Sequence, residues 1–436
     1  MKRRAAGLAL LMSCVANGGF AAEGVTPTGI PHLDHVYVIM MENHGYSQIL
    51  NNPNAPFTNR LALAANHATN YFAVGHPSFT NYLEVVGGSN FGVQSDNAPN
   101  WHNTTCTANL ASHVPATDNP PSPTICPIAG EGVDAATPVI DTTNETQGLP
   151  GDINIDGHLS FPAASHTFGK TIADQLVARR LTSKSYQENL PASGADQVNT
   201  SDGVFTNNTD FSKILPTLNP PLTSSNMVAL YAVKHNPFAY FKNVQEGYDP
   251  NNSLQNMAGF DGARGLFADL GAGASPNFSF IAPNQCNDQH GQGNAGALCN
   301  YDPSDVGLQS GLNPALIQRG DVALQTLVTA IHQSPAWRRG NNAIVIVWDE
   351  NDYSTAPNTN QVLLIVDTNY GAAGVKSSRF YTHFSLLKTL EAGFGLPCLN
   401  HACDSNAAVM SDLFAAGHNR GHDHDHDHDD HDHDRY

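Results

Sequence analysis

Val36-Tyr37-Val38-Ile39-Met40-Met41-Glu42-Asn43-His44 is the stretch on which the fold turns. Its first six residues are apolar without alternation, and then the run breaks into a carboxylate and an amide. A run this short and unbroken predicts a strand buried on both faces, as in parallel sheets. The pattern recurs near the other end of the chain, where Ala343-Ile344-Val345-Ile346-Val347-Trp348 is followed by Asp349-Glu350. In open α/β sheets ligands sit outside the carboxyl ends of such strands. Glu42, Asn43, Asp349 and Glu350 are therefore expected to converge, and their oxygens suit a hard or borderline divalent cation.

Between these strands the chain alternates elements. Thr171 to Arg180 carries a helical pattern through Ile172, Leu176 and Val177, and Leu181 to Tyr186 reads as the next strand. Met227 to Val233 and Phe278 to Ala282 are further strand candidates. Asp321 to His332 reads as a helix, Val362 to Val366 as a late strand, and Phe384 to Leu390 as a helix with Gly393 and Gly395 beyond its end. This alternation predicts an α/β fold with a mostly parallel sheet. No internal repeat or obvious linker divides it, so one domain is expected over about 25–415, with a long Asn-, Thr-, Pro- and Gly-rich insertion at about 91–165.

The 436 residues suffice for a large core. Hydrophobic residues make up 40% and charged residues only 14%, a low-charge globular composition. A formal net charge of -19 argues against nucleic acid as a partner by bulk electrostatics. Lys2, Arg3 and Arg4, an apolar stretch from Ala5 to Val15, and small residues up to Ala22 read as a secretory signal peptide over 1–22, placing the protein in the periplasm or outside the cell. Leu11-Met12-Ser13-Cys14 only weakly imitates a lipoprotein processing site, and the apolar run is too short to span a bilayer. Loss of Cys14 with the signal would leave six cysteines, whose clustering favours the disulfides Cys106–Cys126, Cys286–Cys299 and Cys398–Cys403. Residues 418–436 include a run from Gly421 to Tyr436 in which His and Asp alternate. It holds nothing apolar to bury, so it reads as a disordered tail able to bind zinc, nickel or copper, or else as an expression tag.

The third chemical element is His76-Pro77-Ser78-Phe79-Thr80-Asn81-Tyr82. A serine just after proline can open a helix, where free N–H groups and the dipole favour a phosphoryl oxyanion; the bland reading is an ordinary helix cap. A metal touching Ser78 would make its alkoxide accessible as a nucleophile, and Asn81 could donate to a phosphate oxygen. His235, in Lys234-His235-Asn236-Pro237, and His290, in Asp288-Gln289-His290, could each be a metal ligand, a phosphate-binding cation or a general acid. His383 could do the same or merely satisfy a helix start.

These segments, taken in order, resemble the bacterial phosphoesterase family of secreted acid phosphatases and non-haemolytic phospholipases C, within the alkaline phosphatase superfamily. The resemblance includes Thr171-Ile172-Ala173-Asp174-Gln175-Leu176, Tyr186-Gln187-Glu188-Asn189-Leu190-Pro191 and Thr382 to Glu391, and spans about residues 33–397. It implies an α/β/α sandwich with a metal site at the carboxyl edge of the sheet. Glu42, Asn43, Asp349 and Glu350 would hold the metal, and Ser78 would be both ligand and nucleophile. His235 and His290 would be catalytic, while Asn81, His76 and Lys234 would bind substrate. The mapping is firmer for His235 and His290 than for His76 or His383. Ser78-Phe79-Thr80-Asn81 is also similar to the nucleophile loop of nucleotide pyrophosphatases, with Thr80 where proline is usual.

The chain lacks the large extra segments of long phospholipases C, which points to the compact phosphatase branch. The expectation is a phosphoric monoester hydrolase using a divalent ion (calcium, manganese, zinc or iron) and a phosphoserine intermediate, acting on a small phosphate ester or phospholipid headgroup. The alternatives are a phospholipase C-type diesterase and, in another class, a metal-scavenging protein whose tail does the work.

Overall fold

The structure is a computed structural model that describes residues 23–93, 96, 107–108, 125–126, 141, 161, 167–190, 230–245, 247–292, 297–302, 311–352 and 360–415. The expected signal peptide, the Cys106–Cys126 pairing, most of the insertion and the His/Asp tail lie outside these residues.

The strands are β1 His35–Met41, β2 Asn66–Ala68, β3 Tyr71–Phe72, β4 Thr107–Ala108, β5 Ile125–Cys126, β6 Ser183–Gln187, β7 Met257–Ala258, β8 Phe278–Ala282, β9 Asn342–Trp348, β10 Leu364–Thr368, β11 Lys376–Ser377 and β12 Tyr381–Thr382. Eight of them form one sheet in the order β11-β2-β10-β9-β1-β8-β6-β7. Every described pairing in it is parallel except those of β10, which runs antiparallel to β9 and β2. The expectation of a mostly parallel α/β sheet is met.

Val36 to Met41 and all of β9 are buried, so both faces of the central strands are covered. The covering helices fall into two groups. Pro56–Ala64 and Leu266–Ala272 pack on Pro314–Gln333; Ser78–Gly87 and Ile172–Ala178 pack on His383–Phe394. The result is an α/β/α sandwich, and burying strands rich in Val and Ile on two sides is its main stabilising term.

Several boundaries differ from those expected. Leu230 to Ala232 form no strand, and Val233–His235 is a 3-10 turn, although the composition of Met227 to Val233 suits a strand. Apolar content alone does not decide between a strand and a buried turn whose carbonyls bond elsewhere, as Leu230 O does in accepting from Gln285 N–H at 3.0 Å. The strand expected at Val362 to Val366 is β10, starting at Leu364. The helix Pro314–Gln333 starts well before Asp321, with Asn313 capping it through Ala315 N–H. Gly393 lies inside His383–Phe394 rather than beyond it; only Gly395, at φ 66, makes the left-handed cap.

Cys286–Cys299 and Cys398–Cys403 are both formed as expected. Beside the second, His401 lies 2.6 Å from Asp141 and 2.6 Å from Asp404, and Phe161 packs on Phe384 and His401. Burial pulls His401 down, but Asp141 and Asp404 more than offset this and lift it to about 10. Its folded-state value is thus above the ordinary one near 6.5, so its contribution to stability is complete below about pH 6.5. That contribution is lost as pH rises through about 10. Thermal melts across this window should show the gap between wild type and His401→Asn closing as pH increases. A gap independent of pH would contradict the charged pair.

Candidate active site

Parallel register builds the site. Met41 at the end of β1 pairs with Trp348 at the end of β9, and Asp349 N–H donates to Met41 O at 2.9 Å. Glu42 and Asp349 therefore leave the sheet side by side. On the other side of β1, Glu42 N–H donates to Asp288 O at 2.9 Å, bringing in the segment after β8. Trp348 is itself held by its indole N–H donating to Gln289 Oε1 at 2.9 Å. Gln289 fits because residue 320, on the facing helix, is glycine: a Cβ there would lie 2.3 Å from Gln289 Cγ.

Ser78 is the first residue of the helix Ser78–Gly87, and its buried hydroxyl lies 3.1 Å from Glu42 Oε2 and 3.0 Å from Glu350 Oε1. The convergence expected of Glu42, Asp349, Glu350 and Ser78 is thus what the structure shows. Asn43 takes part through its backbone N–H, which donates to Asp349 Oδ1 at 3.0 Å, from a left-handed residue at φ 54.

Asn81 is placed one helical turn beyond Ser78, and its amide is fully engaged inside the protein. Oδ1 accepts from Val74 and Gly75 N–H, and Nδ2 donates to Gly75 O at 2.8 Å and Glu350 Oε2 at 3.1 Å. Two donors and two acceptor sites are all an amide offers. His76 Nδ1 lies 2.7 Å from Glu350 Oε2. His383, presented by the β12 and β3 pair, donates from Nε2 to Asp349 O at 2.6 Å and accepts from Tyr71 OH at Nδ1. The two histidines ranked weaker in the sequence thus touch the acidic pair directly.

His235 sits between two carboxylates, 2.8 Å from Glu42 Oε1 and 3.2 Å from Asp288 Oδ2, and stacks on Tyr82 at 5.2 Å. Asp288 stands out in the sequence only as a neighbour of His290; the segment that carries it is tied to Glu42 through Asp288 O and to the stretch before His235 through Gln285 N–H donating to Leu230 O. His290 bonds Gly291 O through Nδ1 at 2.7 Å, so its Nε2 is bare and faces Lys234 Nζ at 3.3 Å.

The charges follow from burial and these partners. Burial lowers His235, but Glu42 and Asp288 offset it and raise the imidazole to about 9. Burial raises Glu42, yet His235, Lys234 and His290 hold it below the ordinary carboxylate range. Burial, then Glu42 and Glu350, push Asp349 well up; burial also raises Glu350 despite His76. Burial and Lys234 lower His290, and burial lowers His383 to about 4, so both are neutral near pH 7. Asp288→Asn should therefore lower the titration midpoint of His235, read by NMR of its ring protons. An unmoved midpoint would show that Asp288 does not set the imidazolium.

Among the described residues, no group of three or more His, Cys, Asp or Glu side chains forms a ready-made metal cage. The carboxylates are turned instead to hydrogen-bond donors: Ser78, Asn81, His76 and His235. The donor set still suits a hard cation. Glu42, Asp349, Glu350 and the Ser78 hydroxyl supply only oxygens, all buried, and Asp349 Oδ2 has no hydrogen-bond partner.

Comparison with known proteins gives the family. Phosphatidylinositol-3-phosphatase of Mycobacterium tuberculosis is 22% identical over 399 residues, covering 91% of this chain and 88% of that protein. An acid phosphatase of Aspergillus fumigatus is 22% identical over 372 residues, covering 85% of this chain but 57% of that longer protein. Among solved structures, an alkaline phosphatase superfamily protein from Vibrio parahaemolyticus shares 12% identity over 86% of this chain and 69% of its own, with a TM-score of 0.40. That score adds nothing to the fold read from the sheet itself. The Phosphoesterase family matches residues 48–299, more than half of the chain, and the matched segment contains Ser78, Asn81, Lys234, His235 and His290. The chain belongs to the Phosphoesterase family and is a hydrolase of phosphate esters.

Proposed function

We propose that the protein is a metal-dependent phosphoric monoester hydrolase with Ser78 as nucleophile. The observation that carries this reading is the Ser78 hydroxyl lying between Glu42 and Glu350 at the carboxyl edge of β1 and β9. Glu42, Asp349, Glu350 and Ser78 would hold a divalent ion, with Asn43 fixing Asp349 through its backbone. Bound there, the ion would neutralise the carboxylates, lower the pKa of the serine hydroxyl and stabilise charge on phosphoryl oxygens.

The chain's own groups do the rest. Glu350 Oε1, 3.0 Å from the Ser78 hydroxyl, is placed to take its proton. Ser78 Oγ bonds to phosphorus as the bond to the leaving oxygen breaks; water then attacks the phosphoserine and restores the hydroxyl. Lys234, whose ammonium donates to the bare Nε2 of His290, is the group that would give a proton to the leaving oxygen. His235 holds Glu42, and Asn81 holds the Val74–Gly75 loop against Glu350. Positioning and charge neutralisation, rather than covalent chemistry by many groups, is what phosphoryl transfer requires.

The relatives named as phosphatases support a monoester substrate, either a small phosphate ester or a phosphorylated lipid headgroup. Among the described residues no helix is long and apolar enough to cross a membrane. We take residues 1–22 as an export signal and residues 418–436 as a metal-collecting tail. The test is a panel of phosphate mono- and diesters assayed after chelation and after restoring calcium, manganese, zinc or iron one at a time. Recovery by a single ion with monoesters preferred supports the reading. Full activity in chelator would reject metal dependence, and release of diacylglycerol from phosphatidylcholine with little monoesterase activity would favour the phospholipase C alternative. Retention of activity after deleting Gly421–Tyr436 at saturating metal would exclude the scavenger.

A further inference from the structure

Asp96 follows the helix that begins at Ser78, and its carboxylate is divided between two partners. Oδ1 accepts from the backbone N–H of Phe79 at 3.0 Å, and Oδ2 lies 3.0 Å from Lys234 Nζ. Phe79 is the residue next to the nucleophile, in the first turn of its helix. Lys234 is buried, and its ammonium also meets His290 Nε2 at 3.3 Å. A first-turn amide N–H and a buried ammonium are the groups that recognise an oxyanion in a phosphoryl-transfer site. Both are satisfied here by a carboxylate of the chain, whose side chain remains 32% exposed while Lys234 is 7% exposed.

We propose that Asp96 is an internal anion standing where a phosphoryl oxygen of the substrate binds, and that it sets the preference for monoesters over diesters. This rests on the reading of Ser78 as the nucleophile. An incoming phosphate must displace one negative charge from Phe79 N–H and Lys234. A diester brings a single charge, so the exchange gains nothing. A monoester dianion brings two and gains the surplus attraction of Lys234. The same competition weakens binding of the product, inorganic phosphate, and so hastens its release.

The test is calorimetric binding of inorganic phosphate to the metal-loaded protein and to its variants Asp96→Asn, Lys234→Gln and the double substitution, together with turnover of matched mono- and diesters. Asp96→Asn keeps the shape and can still accept from Phe79 N–H, but no longer pairs with Lys234. It should tighten phosphate binding by about five- to tenfold, the worth of one charge-assisted hydrogen bond released. The ratio of kcat/KM for monoester to diester should fall. In the Lys234→Gln background the gain should largely vanish, because the contested ammonium is gone. Weaker or unchanged phosphate binding in Asp96→Asn would overturn the proposal and leave Asp96 as a structural tie. An equal gain with and without Lys234 would overturn it too, showing only diffuse repulsion. Asp96→Ser is the second variant and should move in the same direction. Failure of the underlying reading looks different: turnover that survives Ser78→Ala, whatever Asp96 does.

Discussion

Ser78→Ala is expected to lower turnover of a chromogenic phosphate monoester by about three orders of magnitude or more, as removal of a nucleophile does. The hydroxyl is held against both Glu42 and Glu350, at 3.1 and 3.0 Å. Alanine deletes the attacking atom yet leaves the helix start intact, since Thr80 N–H still bonds Pro77 O. Substrate binding should therefore persist while kcat collapses. Acid quenching of the wild type during turnover of radiolabelled phosphate ester should trap phosphate on Ser78, and the variant should carry none. Near-wild-type turnover by the variant, or label on another residue, would reject the mechanism.

Asp349→Asn should have the next largest effect, with opposite signs on activity and on metal-free stability. Asp349 is wholly buried, its carboxyl is pushed up by burial and by Glu42 and Glu350, and its Oδ2 has no hydrogen-bond partner. An amide keeps an oxygen for Asn43 N–H but removes one of the crowded charges. Without metal the variant should melt at or above the wild-type temperature, because an uncompensated buried charge is a cost. With metal the order should reverse, because ligands that bind only the folded state stabilise it in proportion to their affinity. Turnover should fall roughly 10²- to 10³-fold, typical for losing one electrostatic element of a reactive centre. The site assignment fails if divalent ions shift the melting of both proteins equally and turnover is unchanged.

Much of this was readable from residues alone. Val36 to Met41 and Ala343 to Trp348 are legible because a strand buried on both faces leaves no polar alternation, and parallel order then puts Glu42 beside Asp349. Ser78 was legible from the proline before it. The antiparallel direction of β10 was not, because apolar pattern is the same in either direction. Leu230 to Val233 misled for the complementary reason: a buried turn needs the same apolar residues as a strand. His76, His383 and Asp288 carry little weight in the sequence, and Asp96 none, because each is a single polar residue in a loop or, for His383, at a helix start. Their closeness to the carboxylates and to Lys234 is made by packing between elements distant in sequence. The amide of Asn81 shows the limit from the other side: residue type and spacing suggested a phosphate donor, whereas the surrounding backbone occupies every one of its hydrogen-bonding positions.

The seam between β1 and β9 also governs when the enzyme can begin to work. The first central strand finds its partners only after β8 and β9 have been made, so the most important pairings close very long loops, and chains dominated by such distant contacts fold slowly. A nascent or truncated chain ending before Asn342 would display an unpaired edge of β1 and a serine lacking Glu350. Such a fragment would be sticky and, if Ser78 needs Glu350, inert, which delays hydrolytic competence until Asn342 to Glu350 have been added.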